Sequence, residues 1–196
     1  MVKRQPLHNF LFQSDPDGFY SNLSCHCTPW IDVCVILHLI RRYRPKAFLE
    51  IGTHRGHTTK ILAEKFPEMQ IVTVDPGNQI QEADRARNQV AEYPSQSEIG
   101  ECARTYPNVR ILKQRIEEID WSSMRFDMVF VDGDHRYSAV LRDTAIAFGV
   151  LRNPGIIVWH DYNNVRDVNL ALDSISVNPE ITSIPDTWIA YYSSHS

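Results

Sequence analysis

Apolar positions along the chain follow two rhythms. From Trp30 to Tyr43 they recur at helical spacing, with Ile31, Val35 and Leu39 on one line and Cys34 and His38 beside it, until Pro45 stops the run. The spacing predicts a helix there. Ala47-Phe48-Leu49-Glu50-Ile51-Gly52 then reads as a short apolar strand running into a glycine turn. A helix is expected over Thr58–Phe66, with Ile61, Leu62 and Phe66 inward, and a second strand over Ile71–Asp75, closed by Pro76-Gly77. The polar residues 78–107 contain a helix expected around Glu82–Glu92 and a break at Tyr93-Pro94-Ser95. Val109–Leu112 and Phe126–Val131 are the third and fourth strands. Tyr137–Leu151 is expected to be a helix with Val140, Leu141, Ala145 and Phe148 inward, ended by Asn153-Pro154-Gly155. Ile156–Trp159 gives a fifth strand and Val165–Ser176 a helix. Ile181–Ile184 and Thr187–Tyr192, split by Pro185-Asp186, read as a closing hairpin.

Strands that are apolar throughout and alternate with helices imply a parallel sheet covered on both faces. The expected fold is one doubly wound, Rossmann-like α/β domain, mostly parallel, with an antiparallel C-terminal hairpin. The polar N-terminal segment carries a DPDG turn signal at Asp15–Gly18. Residues 1–29 are therefore expected to form an arm or lid, and 30–196 the folded domain.

Composition alters this picture little. A length of 196 residues suits one domain with a proper core. A formal charge of −4 gives no electrostatic reason to expect a nucleic-acid partner. No segment approaches the roughly 18 apolar residues of a membrane helix. MVKRQPLHNF lacks the apolar core of a secretion signal. Cys25, Cys27, Cys34 and Cys102 lack the paired spacing of a zinc site and are expected to be reduced thiols of a cytoplasmic protein. An N-terminal arm of this kind is able to exchange between subunits, which leaves a homo-oligomer open.

The chemistry collects where the apolar runs stop. In open α/β sheets ligands bind beyond the carboxyl ends of the strands, where strand order reverses. Those ends carry Glu50-Ile51-Gly52, Asp75, Lys113-Gln114-Arg115, Asp132-Gly133-Asp134-His135 and His160-Asp161. One or two such coincidences are ordinary turn chemistry; five along one edge make a site. In EIGTHRG, Gly52 and Gly56 permit a tight turn, and the next helix offers free N–H groups. The dinucleotide fingerprint needs a second glycine where His54 stands, so a nucleotide cofactor without a pyrophosphate fits better. Asp75, about 20 residues past the turn, suits ribose hydroxyls.

EIGTHRG, the acid of TVDPG, and FDMVFVDGDHRYSAVLRD with LRNPGIIVWHDY together resemble the class I S-adenosylmethionine-dependent methyltransferases. The nearer resemblance is to the small-molecule O-methyltransferase branch with a DGxH…HD pattern, which includes macrolide and cephalosporin-type relatives, and it spans Trp30 to Tyr192. It implies a seven-stranded sheet with an antiparallel last strand. It also implies that Glu50, Gly52, Thr53, Gly56 and Thr58 line the methionine end of S-adenosylmethionine, that Asp75 holds the ribose, and that Gln114, Arg115 and Ile116 border the adenine. Asp132 adjoins the cofactor. In metal-dependent members the residues matching Asp132, His160 and Asp161 ligate a divalent cation, and the histidine matching His135 is the general base. His160 departs from the acid usual in magnesium-using relatives, and an imidazole suits manganese, iron or zinc better. The cation's presence and identity stay open.

The function implied is methyl transfer to a hydroxyl of a small-molecule acceptor, with His135 and Asp132 catalytic. Two other readings remain. One is a non-catalytic nucleotide-binding module. The other is a metal-dependent hydrolase built from Asp132, His135, His160 and Asp161, which leaves Glu50, the glycine turn and Asp75 without a role. His135 as a helix cap, Asp134 as a dipole partner and Trp188 as a core residue are the bland alternatives for those side chains.

Overall fold

The computed structural model of the chain describes residues 2–4, 19–20, 28–77, 93–176 and 180–195. The helix expected around Glu82–Glu92 and the turn at Asp15–Gly18 lie outside them.

An eight-stranded sheet runs through the molecule in the order β1-β7-β8-β6-β5-β2-β3-β4. Its strands are β1 (Lys3–Arg4), β2 (Ala47–Ile51), β3 (Gln70–Val74), β4 (Val109–Leu112), β5 (Phe126–Val131), β6 (Leu151–Trp159), β7 (Thr182–Ser183) and β8 (Ala190–Ser193). The helices are α1 (Trp30–Tyr43), α2 (His57–Lys65), α3 (Tyr137–Val150) and α4 (Arg166–Ile175). Strands β2 to β6 pair in parallel, while β8 runs antiparallel to both β6 and β7.

Period-two alternation in the buried strands builds the two layers. Phe48, Met128, Phe130, Ile156 and Val158 face a core shared with α1 and α2. Their neighbours Leu49, Val129, Val131, Ile157 and Trp159 face the opposite core under α3 and α4. Each fully buried side chain of this size contributes about 1.5–3 kcal/mol of transfer free energy. Helix α1 ends where Arg44 turns into the left-handed region at φ 50, its N–H returning to the Ile40 carbonyl at 2.8 Å, and Pro45 follows.

Three expectations need correction. Among the described residues the sheet has eight strands, not seven, because Lys3–Arg4 pairs with β7 and extends the edge. Asn153-Pro154-Gly155 lies inside β6, which starts directly after α3 as Leu151 pairs with Phe126. Ala145 is exposed; the buried stripe of α3 runs through Ala139, Val140, Asp143, Thr144, Ala147 and Val150.

Strand register positions the site. Ile51 pairs with both Val74 and Val131, Val74 with Leu112, and Val131 with Trp159. The next residues, Gly52, Asp75, Lys113, Asp132 and His160, therefore emerge along one row. The chain runs outward from β2 through β3 to β4, then returns to the other side of β2 for β5 and β6. The order thus reverses between β2 and β5, where an α/β sheet opens its ligand crevice.

Candidate active site

A cavity of about 380 Å³ opens at this reversal point. Its floor depends on Gly52, at φ 103. A Cβ there would stand 2.0 Å from the Asp132 carbonyl oxygen, so the ends of β2 and β5 approach more closely than any side chain permits. Asp75 secures the turn that follows. Its Oδ2 accepts the His54 N–H at 2.8 Å and the Thr53 N–H at 3.2 Å, and its Oδ1 accepts the Gly77 N–H at 2.9 Å and the Tyr93 hydroxyl. Gly56 caps α2 at φ 79.

Glu50 lies beneath the turn and outside the cavity wall. It shares the sheet face of Phe48, and its Oε2 accepts hydroxyl hydrogen bonds from Thr59 and Thr73. Burial raises its carboxyl to about 8, the two hydroxyls opposing and the charges of Asp132 and Asp75 reinforcing the rise. Oε1 has no hydrogen-bond partner among the described residues. A carboxyl held this way is largely protonated at neutral pH.

The other end of the cavity holds a chain of acids and imidazoles. His135 meets the Asp161 Oδ2 through Nε2 at 2.8 Å. His160 Nδ1 lies 3.0 Å from Asp132 Oδ1 and 3.3 Å from Asp161 Oδ2, while its Nε2 lies 3.0 Å from Asp32 Oδ2. Burial opposes the charge on His160, yet the surrounding carboxylates win and hold its pKa well above 6.5. His135 is raised too, its burial outweighed by Asp161 and Asp132. Burial likewise works against the Asp161 carboxylate, but hydrogen bonds from both imidazoles hold its pKa far below the ordinary range. Asp161 adopts φ 61, a conformation an L residue rarely takes, and such strain clusters at functional positions.

The structure thus brings Gly52, Asp75, Arg115, Ile116, Asp132, His135, His160 and Asp161 to one cavity. Thr53 and Thr58 are buried beside it, each on a hydroxyl partner (Thr73 at 2.6 Å and Thr28 at 3.1 Å), and Gln114 is exposed. The guanidinium of Arg115 is turned to Glu117. Ligand atoms of Asp132, His135 and Asp161 lie within 4.8 Å of one another. His160, the imidazole expected in that set, lines the same cavity and contacts both acids, Asp132 at 3.0 Å and Asp161 at 3.3 Å. Trp188, expected in the core, stands at the cavity rim. Tyr162, just past the His160-Asp161 pair, turns its hydroxyl to Asp173 at 3.1 Å. Asp32 was not singled out from the sequence, although a lone acid inside the apolar run WIDVCVILHLI was its signal. It is fully buried.

A sheet of this topology, with glycine turn, acid and strand-end cluster at its reversal point, defines a Rossmann-like methyltransferase fold. The profile of the family described as methyltransferase domain matches residues 49–162, more than half of the chain, and the chain belongs to that family. No curated protein matches the sequence. The fold is shared with the S-adenosylhomocysteine-bound methyltransferase PaMTH1 of Podospora anserina, at 14% identity and a TM-score of 0.63 over 92% of this chain and 82% of that one. An O-methyltransferase from Bacillus cereus in complex with S-adenosylhomocysteine aligns at 17% identity and a TM-score of 0.56, over 95% and 99% of the two chains. TomG of Streptomyces achromogenes, an O-methyltransferase of tomaymycin synthesis in complex with S-adenosylmethionine, aligns at 17% and 0.56 over 89% and 83%.

Proposed function

We propose that the protein transfers a methyl group from S-adenosylmethionine to a hydroxyl of a small molecule. The observation that carries this reading is the single cavity shared by the Gly52–Asp75 turn and the His135–Asp161 pair. The neighbours solved with S-adenosylmethionine or S-adenosylhomocysteine support it by fold, and their O-methyltransferase descriptions support a hydroxyl acceptor. The donor set suits the cofactor: Asp75, Asp132 and Asp161 present carboxyl groups on the cavity wall to a ligand that carries a sulfonium and an ammonium.

When bound, S-adenosylmethionine supplies a methyl group on a positively charged sulfur, open to in-line displacement. Gly52, Asp75, Arg115, Ile116 and Asp132 meet it directly in this reading. Glu50, Thr53, Gly56 and Thr58 hold the turn beneath it, and Gln114 flanks the adenine. The acceptor oxygen attacks well only once its proton leaves. Asp161, which only accepts hydrogen bonds, fixes the proton of His135 on Nε2 and leaves Nδ1 to take the acceptor's proton. Asp132 anchors the group through His160.

A second reading is favoured by the clustering of Asp132, His135 and Asp161, a donor set that fits a divalent cation of borderline character such as manganese or zinc. Such an ion would supply positive charge that acidifies a nearby hydroxyl. His135 is then a ligand and no longer the base, so the two readings separate on metal dependence.

Residues 1–29 are read as an N-terminal arm or lid; Thr28, on the cavity wall, supports this. Residues 30–196 are the transferase domain, and the composition accords with a cytoplasmic location and a small-molecule partner. No helix of the described residues is long and apolar enough to cross a membrane. Calorimetry with S-adenosylhomocysteine tests the reading: micromolar binding is expected, and no heat at millimolar ligand removes the assignment.

A further inference from the structure

Asp143 has no part in the chemistry above, yet it lines the same cavity. It sits on the buried face of α3 and is only 2% exposed. Its Oδ1 accepts the Arg142 Nε–H at 2.9 Å. Its Oδ2 accepts no hydrogen bond from any described residue. That oxygen lies against Gly133, where a Cβ would stand 3.2 Å from it, so the glycine is what leaves the carboxylate uncovered. A buried acceptor without a donor is costly, and native proteins rarely keep one unless a ligand or water completes it.

The surroundings say what kind of ligand. The cavity is chemically divided. Asp132, His135, His160 and Asp161 crowd one part of its wall, whereas Ile51, Val74, Pro76 and Ile116 supply apolar surface elsewhere on it. Arg142, which grips Asp143, also faces Glu117 at 3.8 Å, and Glu117 follows Ile116 directly. The Gly133 position that meets Asp143 Oδ2 also meets Ile51, whose Cγ2 would stand 3.5 Å from a Cβ there, so the carboxylate borders the apolar wall at Ile51. Apolar walls with an acceptor at the edge suit a flat heterocycle that carries an edge amine. Burial, opposed by Arg142 and reinforced by Asp134 and Glu117, raises the Asp143 carboxyl to about 6, which leaves it an ionised acceptor at neutral pH.

We infer that Asp143 reads the purine of the cofactor, its unshared Oδ2 accepting a hydrogen from the exocyclic 6-amino group of adenine. The inference rests on the S-adenosylmethionine reading and adds a specificity-determining residue to it. A 6-oxo purine would present an acceptor to an acceptor, and a site built for a donor rejects the analogue that lacks it.

Calorimetry on the whole chain with S-adenosylhomocysteine and S-inosylhomocysteine tests the inference. The native protein is expected to bind the adenine compound roughly 10- to 100-fold more tightly. Asp143→Asn, whose amide can donate or accept, is expected to bring the two affinities within about threefold of each other. Asp143→Leu is expected to lose both the preference and most of the adenosyl affinity, and the near-isosteric Asn variant carries the test if Leu does not fold. Equal binding of the two compounds by the native protein overturns the inference, as does an undiminished preference in Asp143→Asn. Neither result touches the methyltransferase reading, which fails only if the native protein binds no S-adenosylhomocysteine at all.

Discussion

Asp32 and His160, 128 positions apart in sequence, meet through Oδ2 and Nε2 at 3.0 Å. The other imidazole nitrogen faces Asp132 at 3.0 Å. Carboxylates only accept, so both ring nitrogens must carry hydrogen and His160 is an imidazolium. The first turn of α1 thereby fixes the orientation of the strand-end acids on β5 and β6. Asp32 Oδ1 also accepts the Trp188 N–H at 3.2 Å, which ties the cavity rim to the same carboxylate.

Replacing Asp32 by Asn leaves the shape but removes a charge from this buried set. We expect a loss of about 2–3 kcal/mol in urea unfolding at pH 7. The pH dependence carries a signature. His160 has a folded pKa above its unfolded value of 6.5, so its stabilisation is complete below about 6.5 and is lost as pH rises through the folded value. In Asp32→Asn the decline should start at the same pH but be smaller and finish at lower pH, because only the folded value falls, and in His160→Gln it should be absent. A native unfolding profile flat from pH 6.5 to 10 contradicts the imidazolium assignment.

Glu50 makes the opposite case. A carboxyl raised to about 8 in the folded state and near 4.5 unfolded binds more protons when folded. Its linkage therefore removes stability as pH rises from 4.5 to 8. Glu50→Gln keeps the hydrogen bonds with Thr59 and Thr73 available and removes that loss. The variant should be more stable than the native protein at pH 7 by on the order of 3 kcal/mol, yet bind S-adenosylhomocysteine more weakly. Thermal melts and calorimetry on the same samples check both halves, and a variant that is both less stable and equally tight in binding rules the account out.

The strand ends were legible because buried parallel strands are apolar without interruption, and each polar cluster marks where one stops. Period-two alternation also held the fate of Glu50: sharing a face with Phe48, it had to enter the α1–α2 layer and not the rim. Helix boundaries followed from Pro45 and the periodic runs, as in α1. What could not be read is which imidazole joins the acids. His135 and His160 both lie next to an aspartate in sequence, and only the packing of Asp32 against His160 separates their roles. The inward face of α3 was misjudged at Ala145 because its polar members, Asp143 and Thr144, are buried for reasons a hydrophobic pattern does not carry. Thr144, for instance, accepts the Trp159 Nε1–H at 2.9 Å.

Tyr93 donates its hydroxyl to Asp75 Oδ1, the carboxylate proposed to take the ribose, and its ring meets His54 edge-on at 5.9 Å. A ribose hydroxyl must then displace the phenol. Tyr93→Phe removes the competitor while keeping the ring, and S-adenosylhomocysteine should bind roughly three- to tenfold more tightly. Weaker binding by the Phe variant would mean that the phenol itself contacts the ligand.

His135 separates the two mechanistic readings. As a base oriented by Asp161, it must be neutral to work, and its pKa is raised above 6.5. Methyl transfer from labelled S-adenosylmethionine to a panel of phenolic and sugar hydroxyls should therefore climb with pH through a value above 6.5. His135→Gln should lower turnover about 10²- to 10⁴-fold and abolish that climb, with S-adenosylhomocysteine affinity changed by less than about threefold. Asp161→Asn should lower turnover too and shift the climb to lower pH, because the imidazole loses the charge that raises it. Repeating the native assay in EDTA isolates the role of the imidazole. Undiminished turnover leaves His135 as the proton acceptor. A loss that manganese or zinc restores, with metal affinity rising with pH as His135 gives up its proton, makes it a ligand beside Asp132 and Asp161.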